Sequence, residues 1–367
     1  MMETLYIRPI ALADSPQGEE GEAIRLAGGL AYASRFALIG REDGKVTSRR
    51  RLSVPEMVAA LPTLPDRAQA QWQALIREHP PLQCGPRTIR LDQPQVLGIL
   101  NVTPDSFSDG GQFFDLPEVA GAHAARMLEA GAAMIDVGGE STRPGAAAVW
   151  EGDELKRVIP HVERLAAMGA AISIDTRRPA VMEAALAAGA HVINDVSALR
   201  HDPRSLELAA RAGVPVVLMH APGDGEDLHS DGQYADVVLD VFDWLAARRD
   251  AALAAGVARE HIVLDPGIGF GKTLAENLAL LNALPLFHAL GQPLMVGTSR
   301  KRMIGALSNE APPHERLGGS ILLVARAMDA GVQLLRVHDV PETVQAARVW
   351  RGLRDAALTD FGQIPVL

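Results

Sequence analysis

Short apolar runs recur along most of the chain, and each run stops at turn-forming or polar residues. A run of this kind is typical of a strand that is buried on both faces. Eight such runs are found at residues 96–101, 133–138, 171–175, 191–196, 214–220, 261–265, 293–298 and 333–338. The segments between them are rich in alanine and leucine at helical spacing, as in Glu118 to Ala130 and Pro179 to Ala188. The pattern therefore predicts strands and helices in alternation.

Glycine marks the ends of the predicted helices. It readily takes the left-handed conformation that terminates a helix, and one glycine stands just ahead of each strand after the first. These glycines are Gly131, Gly169, Gly189, Gly213, Gly256, Gly291 and Gly331. Strands that alternate with helices through short loops form a parallel sheet. Eight such units predict an α/β fold of the (β/α)8 TIM barrel type, with an open doubly wound sheet as the alternative.

The first 90 residues follow a different pattern, which predicts a small α/β appendage. Leu5 to Ile7 reads as a short strand, whereas Ala23 to Leu38 is compatible with either a strand or a helix. Ser53, followed by proline and glutamate, predicts a helix start, and a second helix is predicted from about Pro65 to Glu78. The basic run Arg49 to Arg51 reads as solvated surface.

These patterns divide the chain into three parts. We expect an N-terminal extension of unassigned role at residues 1–90, the barrel at residues 91–357, and a C-terminal tail at residues 358–367. The extension contains no recognisable catalytic motif, so the chemistry is expected on the barrel.

Composition narrows the class of protein. The chain has 367 residues, a formal net charge of −10 and one cysteine, Cys84. An acidic balance argues against a general nucleic-acid surface, and a single cysteine excludes an internal disulfide and fits a reducing compartment. The N-terminus lacks the features of an export signal, and no apolar run reaches the ~20 residues of a membrane span. We expect a cytoplasmic protein that binds neither nucleic acid nor membrane.

Polar residues gather at the carboxyl ends of the predicted strands, which is where the chemistry of a (β/α)8 barrel lies. In chain order they are Asn101, Asp136, Asp175, Asn194, His220, Asp265, Lys301, Arg336 and His338. A buried carboxylate without a partner is costly, so Asp175 and Asp265 need countercharges or a ligand rich in N–H groups. Lys301 and Arg336 are available for this purpose.

Two kinds of ligand chemistry are indicated. A flat, nitrogen-rich heterocycle suits the hydrogen-bonding floor formed by Asp175, Asn194 and Asp265. Phosphate and a hard cation suit a partly cationic rim, because arginine binds phosphate oxygens in a fork. The rim consists of Asn101, Thr142, Arg143, Arg336 and His338. Asp195 and Asp339 read instead as structural residues, since a strand-end aspartate commonly caps the next helix.

Several signatures of other chemistry are absent. Residues 267–273 resemble a phosphate-binding loop but place three residues, where four are needed, between Gly267 and Gly271. The sequence has no G-x-S-x-G elbow, no H-E-x-x-H and no pair of cysteines. A serine hydrolase and a zinc enzyme are therefore not indicated.

Five motifs together closely resemble those of the dihydropteroate synthase family. They are VLGILNVTPDSFSDGG (Val96 to Gly111), IDVGGESTRPGA (Ile135 to Ala146), LDPGIGFGK (Leu264 to Lys272), VGTSRK (Val296 to Lys301) and RVHDV (Arg336 to Val340). The resemblance covers roughly residue 91 to the mid-350s, and it leaves the extension aside. It implies a Mg2+-dependent transferase of folate biosynthesis that is a homodimer and a sulfonamide target. The implied reaction joins (7,8-dihydropterin-6-yl)methyl diphosphate to 4-aminobenzoate and releases diphosphate and 7,8-dihydropteroate.

The resemblance also implies a role for particular residues. Asn101 would be the protein ligand of Mg2+. The catalytic set would be Asn101, Arg143, Lys301, Arg336 and His338. The pterin diphosphate would contact Thr142, Asp175, Asn194, Met219, Asp265, Phe270, Lys301, Arg336 and His338. The 4-aminobenzoate would be bordered by Phe107, Pro144, Ser299 and Arg302, although the Arg302 side chain is equally compatible with an orientation toward solvent.

The chemistry expected from these residues is an SN1-like departure of diphosphate before the amine attacks. The loops after the first and second strands would close over the diphosphate and complete the aminobenzoate pocket. Two other functions compete with this one: a methyltetrahydrofolate–corrinoid methyltransferase, and a non-catalytic pterin-binding paralogue. Neither needs the intact diphosphate-binding residues Thr142, Arg143, Arg336 and His338.

Overall fold

The N-terminal segment forms an antiparallel sheet that is followed by two helices. The computed structural model describes residues 3–15, 22–103, 117–142, 149–223, 227–230 and 232–358. The first elements are β1 (Thr4–Ala13), β2 (Ile24–Arg25), β3 (Tyr32–Glu42), β4 (Lys45–Ser53), α1 (Val54–Ala60) and α2 (Asp66–Ile76). Strand β3 is paired with β1 along one edge and with β2 and β4 along the other. The expected α/β appendage is confirmed, and the undecided stretch from Ala23 to Leu38 consists of strand residues on either side of a turn.

Local sequence explains how α1 and α2 form. Ser53 caps α1 with a reciprocal pair of bonds, in which its hydroxyl accepts the N–H of Glu56 and the Glu56 carboxylate accepts the N–H of Ser53 at 2.7 Å. Helix α2 turns Trp72 and Leu75 inward, and the Trp72 ring meets Phe36 of β3 edge to face at 5.0 Å. The predicted helix start at Ser53 is confirmed.

Eight parallel strands follow a short antiparallel hairpin, β5 (Leu82–Cys84) and β6 (Arg87–Ile89). The parallel strands are β7 (Gln95–Asn101), β8 (Met134–Gly138), β9 (Ile172–Asp175), β10 (Val192–Asp195), β11 (Val216–Met219), β12 (Ile262–Asp265), β13 (Met295–Val296) and β14 (Leu334–Val337). They pair in the order β12-β11-β10-β9-β8-β7-β14-β13, and a parallel bridge between Leu264 and Leu294 joins the two ends. The sheet is therefore a TIM barrel, as predicted, and all eight predicted strands are present.

Helices cover the outside of the barrel. They are α3 (Pro117–Ala130), α4 (Glu151–Ala167), α5 (Pro179–Ala187), α6 (Arg204–Ala212), α7 (Val237–Ala254), α8 (Leu274–Asn282), α9 (Leu284–Phe287), α10 (Arg302–Leu307), α11 (Leu317–Asp329) and α12 (Val340–Leu358). The seven glycines predicted to end helices all have positive φ angles, between 63° and 115°. Among the described residues, no helix has the length and hydropathy needed to cross a membrane.

The β5–β6 hairpin closes the bottom of the barrel. Its residues Leu82, Cys84 and Ile89 are buried in one cluster with residues at the amino ends of the strands, such as Met134 and Val192. Hydrophobic side chains therefore fill the end of the barrel opposite the carboxyl ends of the strands. The predicted site residues lie at the opposite, carboxyl end, which is where barrels of this type bind ligands.

The N-terminal sheet packs against α7 of the barrel. Tyr6 donates its hydroxyl to the carboxylate of Asp243 at 2.6 Å, and its ring packs edge to face on Phe242. Arg41 of β3 forms an ion pair with Asp240 near the start of α7. These contacts bring the N-terminal sheet close to the loop between β11 and α7, on the same side of the barrel as the site.

Candidate active site

Arg336 lies at the centre of the barrel mouth and joins two buried carboxylates. From β14, its Nε is 2.5 Å from Asp136 on β8, and its Nη2 is 2.6 Å from Asp175 on β9. The predicted countercharge for Asp175 is thus present. Asp136 was noted among the strand-end polar residues but was given no role in the predicted site, although a carboxylate in the middle of an apolar strand was a signal that it needs a cation.

Asn194 extends this network. Its side-chain N–H2 group donates to both oxygens of Asp136, at 3.2 and 3.3 Å. This contact orients the amide, so that its carbonyl oxygen is the acceptor offered to a ligand. Asp136 therefore positions two predicted ligand-binding residues at once.

Burial and charge set the protonation of this cluster. Burial raises the pKa of Asp175 to about 7; the positive charge of Arg336 opposes that rise and Asp136 adds to it. Burial alone would lower the pKa of Arg336, but the two carboxylates more than offset this and raise it. The guanidinium therefore stays charged, while Asp175 can change its charge near neutral pH.

Asp265 and Lys301 form a second buried pair on the floor. One oxygen of Asp265 accepts the N–H of Gly267 at 2.7 Å. Burial raises the pKa of Asp265 to about 6 and lowers the pKa of Lys301 to about 8, and each group favours the charged form of the other. The free carboxylate oxygen suits the N–H groups of a heterocycle.

An apolar wall adjoins the floor. Met219 and Phe270 are buried in one cluster with Val196, Ala221 and Leu228. The ammonium group of Lys301 lies 4.2 Å from the centre of the Phe270 ring, within cation–π distance. Polar groups on the floor and an apolar wall beside them together suit a flat heterocycle with hydrogen-bonding edges.

The segment that resembles a phosphate-binding loop does not offer its lysine to a ligand. Lys272 donates inward to the carbonyl oxygens of Gly267 and Phe270, at 2.8 and 3.0 Å. Burial lowers the pKa of this lysine to about 7. The lysine instead holds the loop after β12 in shape, which agrees with the exclusion of a phosphate-binding loop from the sequence.

The rim residues have mixed placements. The backbone N–H of His338 donates to the Ser299 hydroxyl at 3.2 Å, and its Nδ1 lies 3.0 Å from the same oxygen, so Ser299 orients the imidazole. Arg302 is 79% exposed and pairs with Glu310, in keeping with the orientation toward solvent. Asp339 pairs with Arg300, whose φ of 57° turns the chain sharply after β13. The predicted site residues Phe107, Arg143 and Pro144 lie outside the described residues.

The base of the loop after β8 is held by a charged cluster that sequence reasoning did not find. Glu140 forms ion pairs with Arg177 and Arg178 at 3.2 and 2.8 Å. It also accepts the N–H of Val149, at the other end of the same loop, at 3.3 Å. Arg178 reaches on to the fully buried Glu154 of α4 at 2.6 Å. Both ends of the loop that carries Thr142 are thus fixed at their roots.

Asn101 fits the role of a metal ligand supplied by an amide oxygen. A side chain added at Gly138 would lie 3.6 Å from the Asn101 oxygen and 3.7 Å from a carboxylate oxygen of Asp175. The missing side chain therefore keeps the space beside the Asn101 oxygen open, and the neighbouring Asp175 oxygen already accepts from Arg336. No group of three or more His, Cys, Asp or Glu residues in the described ranges is arranged to hold a metal alone. Such a site suits Mg2+, which binds few protein oxygens and retains water or substrate phosphate as its other ligands.

Comparison with known proteins identifies the class of enzyme to which this parallel barrel belongs. The family described as pterin binding enzyme matches residues 97–338. Dihydropteroate synthase of Escherichia coli K12 is 48% identical over 263 residues, which are 71% of this chain and 92% of that protein.

Solved structures that resemble this chain are also dihydropteroate synthases. Dihydropteroate synthase of Xanthomonas albilineans with 4-aminobenzoic acid superposes with a TM-score of 0.70 at 48% identity, covering 78% of this chain and all of that one. The Burkholderia cenocepacia synthase complexed with 7,8-dihydropteroate gives 0.70 at 42% identity, covering 76% and 98%. The chain belongs to the dihydropteroate synthase family, which confirms the resemblance found in its motifs.

Proposed function

We propose that the protein condenses (7,8-dihydropterin-6-yl)methyl diphosphate with 4-aminobenzoate, with Mg2+ as cofactor. The bond between the methylene carbon and the diphosphate oxygen breaks, a carbon–nitrogen bond to the aromatic amine forms, and the amine loses one proton. The observation that carries the proposal is Arg336, held between Asp136 and Asp175 beside the Asp265–Lys301 floor. Related synthases with aminobenzoate or dihydropteroate bound support it.

The floor recognises the pterin. Asp265 offers one carboxylate oxygen and Asn194 its amide oxygen to the N–H groups of the heterocycle, and Met219 and Phe270 cover its face. Lys301 supplies a donor for a ring acceptor. Hydrogen bonds on two edges and apolar contact on the face select a planar, nitrogen-rich ring.

The rim stabilises the charge that develops on the leaving diphosphate. Arg336 and His338 lie at the end of β14, and Thr142 and Arg143 come from the loop after β8. Asn101 would hold Mg2+, which when bound neutralises phosphate charge as a Lewis acid. Departure of a diphosphate requires charge stabilisation more than it requires a base, and the electron-rich pterin supports an SN1-like cationic methylene.

The aminobenzoate would bind above the pterin. Phe107 and Pro144 keep the role that the resemblance gives them, as does Ser299, whose hydroxyl also orients His338. Arg302 is the weakest member of this set, because its side chain is exposed and paired with Glu310. A sulfonamide should compete with aminobenzoate for this pocket.

Turnover of the purified protein tests the proposal. With both substrates and Mg2+, we expect equal amounts of dihydropteroate and diphosphate, with loss of turnover on addition of EDTA and recovery with excess Mg2+. Chromatography of the product and a coupled diphosphate assay measure the two products. Pterin binding without any dihydropteroate would indicate the non-catalytic paralogue, and methyl transfer from methyltetrahydrofolate to a corrinoid would indicate the rival transferase.

We further propose that the protein is a homodimer formed through its last helices. Large apolar side chains are exposed there, with Leu322 of α11 62% exposed and Val349 and Leu353 of α12 61% and 67% exposed. Helices α11 and α12 pack side by side, and we assign the three exposed side chains to one surface. A second copy of the chain, meeting this surface with its own, would bury it.

Charge placed on this surface should separate the subunits. The double variant Leu322→Glu, Leu353→Glu is expected to elute and scatter light as a monomer, because two carboxylates in an apolar interface are strongly unfavourable. Val58→Glu, on a valine of the extension that is 50% exposed, is the matched control and should leave the mass unchanged. A wild-type monomer, or a double variant with unchanged mass, would contradict this interface.

A cytoplasmic location remains part of the proposal. Cys84 is fully buried in the cluster at the barrel bottom, and burial raises the pKa of its thiol to about 11. A thiol of this kind is unreactive and needs no oxidising compartment. The location can be checked by fractionating cells and following the protein with an antibody.

A further inference from the structure

One side chain from the loop between β11 and α7 touches two other parts of the barrel mouth. The His229 ring stacks on Phe270, with centroids 5.2 Å apart and planes 14° apart. Its Nε2 lies 2.6 Å from the carbonyl oxygen of Thr142, in the loop after β8. A carbonyl oxygen only accepts, so Nε2 carries the proton in this contact. His229 thus joins the wall of the pterin pocket to the loop that carries Thr142.

The first part of the loop that carries His229 is anchored to the barrel. Arg200 donates to the carbonyl oxygens of Ala221 and Gly223, at 3.1 and 2.5 Å. Leu228, the neighbour of His229, is buried in the same cluster as Met219 and Phe270. The His229 backbone N–H donates to the Asp227 carboxylate at 2.9 Å, which fixes the local turn.

The far end of the same loop is anchored through the N-terminal sheet. One oxygen of Asp240 accepts the N–H groups of Ala235 and Asp236, at 2.8 and 3.1 Å. The other oxygen pairs with Arg41 of β3. The N-terminal extension thus contacts the far end of the loop that carries His229, and folded elements hold described residues at both ends of that loop.

We propose that His229 is a positioning residue that couples the pterin pocket to the diphosphate-binding loop. A heterocycle that packs against Phe270 limits the movement of that ring and of the imidazole stacked on it. The imidazole N–H then holds the Thr142 carbonyl, which keeps Thr142 facing the diphosphate. The inference rests on the proposed function, because that function assigns Thr142 to the diphosphate.

Two substitutions separate the stacking contact from the hydrogen bond. His229→Phe keeps an aromatic ring on Phe270 and removes the N–H, whereas His229→Gln restores a donor to Thr142. Ser230→Ala is the matched control, since Ser230 lies in the same turn and its hydroxyl bonds only to the Asp227 carbonyl oxygen among described residues. Each protein is titrated calorimetrically with two ligands, the pterin diphosphate with Mg2+ and the 6-hydroxymethyl pterin that lacks the diphosphate.

We expect His229→Phe to bind the diphosphate ligand about 10-fold more weakly, the effect of one lost hydrogen bond. Its affinity for the hydroxymethyl pterin should stay within about twofold of wild type, and His229→Gln should recover most of the loss. If His229 served only for packing, its substitution would weaken the binding of both ligands equally, or would lower the melting temperature without changing either affinity. Either result would overturn the inference. So would a phenylalanine variant that binds like wild type. If wild type itself binds both ligands equally, the failure lies in the proposed function.

Discussion

Asp265→Asn is expected to weaken pterin binding at least about 100-fold without unfolding the protein. Asp265 is 4% exposed at the end of β12, and one of its oxygens already accepts the Gly267 N–H. Asparagine has the same shape but replaces an acceptor with a donor. A buried site left with unpaired polar groups rejects its ligand by factors of about 10²–10⁵. Isothermal calorimetry with a pterin measures the change.

The matched control is Asp195→Asn, at a strand end close to the site. Asp195 is fully buried, but its oxygens accept the backbone N–H groups of Ser197 and Leu199, at 2.7 and 2.9 Å. Its substitution should lower the melting temperature and leave pterin affinity almost unchanged. If Asp195→Asn weakened pterin binding as much as Asp265→Asn does, the assignment of the floor would be incorrect.

Pterin binding should also depend on pH through the same carboxylate. Burial raises the pKa of Asp265 to about 6, so the fraction that can accept two N–H groups falls as pH drops below 6. Affinity should then decline about tenfold per pH unit. The Asp265→Asn variant should lose this dependence. If pterin affinity in this variant still changes with pH near 7, we assign that change to Asp175, because burial raises the pKa of Asp175 to about 7.

Arg336→Met should abolish turnover and cost about 3–5 kcal/mol of unfolding free energy at pH 8. The guanidinium is the cation between Asp136, which is fully buried, and Asp175. Removing it leaves two uncompensated carboxylates close together. Burial already raises the pKa of Asp175. A carboxyl group whose pKa is raised by folding destabilises the folded state most when the pH is above that raised pKa, because the group is then charged. The deficit should therefore shrink as pH falls from 8 toward 5, which urea unfolding at several pH values measures.

A second substitution distinguishes stability from catalysis. In the double variant Arg336→Met, Asp136→Asn, one buried charge is removed, so much of the lost stability should return. Turnover should stay absent, since the diphosphate still lacks its arginine. Recovery of turnover in the double variant would show that Arg336 acts only as a structural partner of Asp136.

The eight strands and the ends of the helices were accessible from sequence because they depend on local physics. Strands buried on both faces must be apolar along their whole length, and left-handed helix ends favour glycine. The seventh strand is the least accurate case: residues 293–298 were predicted, and the strand itself spans only Met295–Val296, with Leu294 joined to Leu264 by a single bridge. Beyond Val296 the chain leaves the sheet to carry Ser299 and Lys301 into the site.

The extension shows where local pattern is insufficient. Ala23 to Leu38 could not be assigned, because β3 has buried residues on both faces and lacks the alternation of a half-exposed strand. One side of β3 faces α1 and α2, and the other faces α7. The second burial partner is far away in sequence, so only the folded chain reveals it.

By itself the sequence determined the barrel, the family and most of the strand-end residues. Burial and backbone conformation each restrict which residue types can occupy a position, so both can be inferred from short stretches of sequence. Only the tertiary structure decided which of those residues act together. Arg336 meets Asp136 across 200 positions of sequence, and His229 meets Thr142 across 87. Such pairings depend on barrel closure and on the register of each strand, for which no single stretch of residues carries a signal.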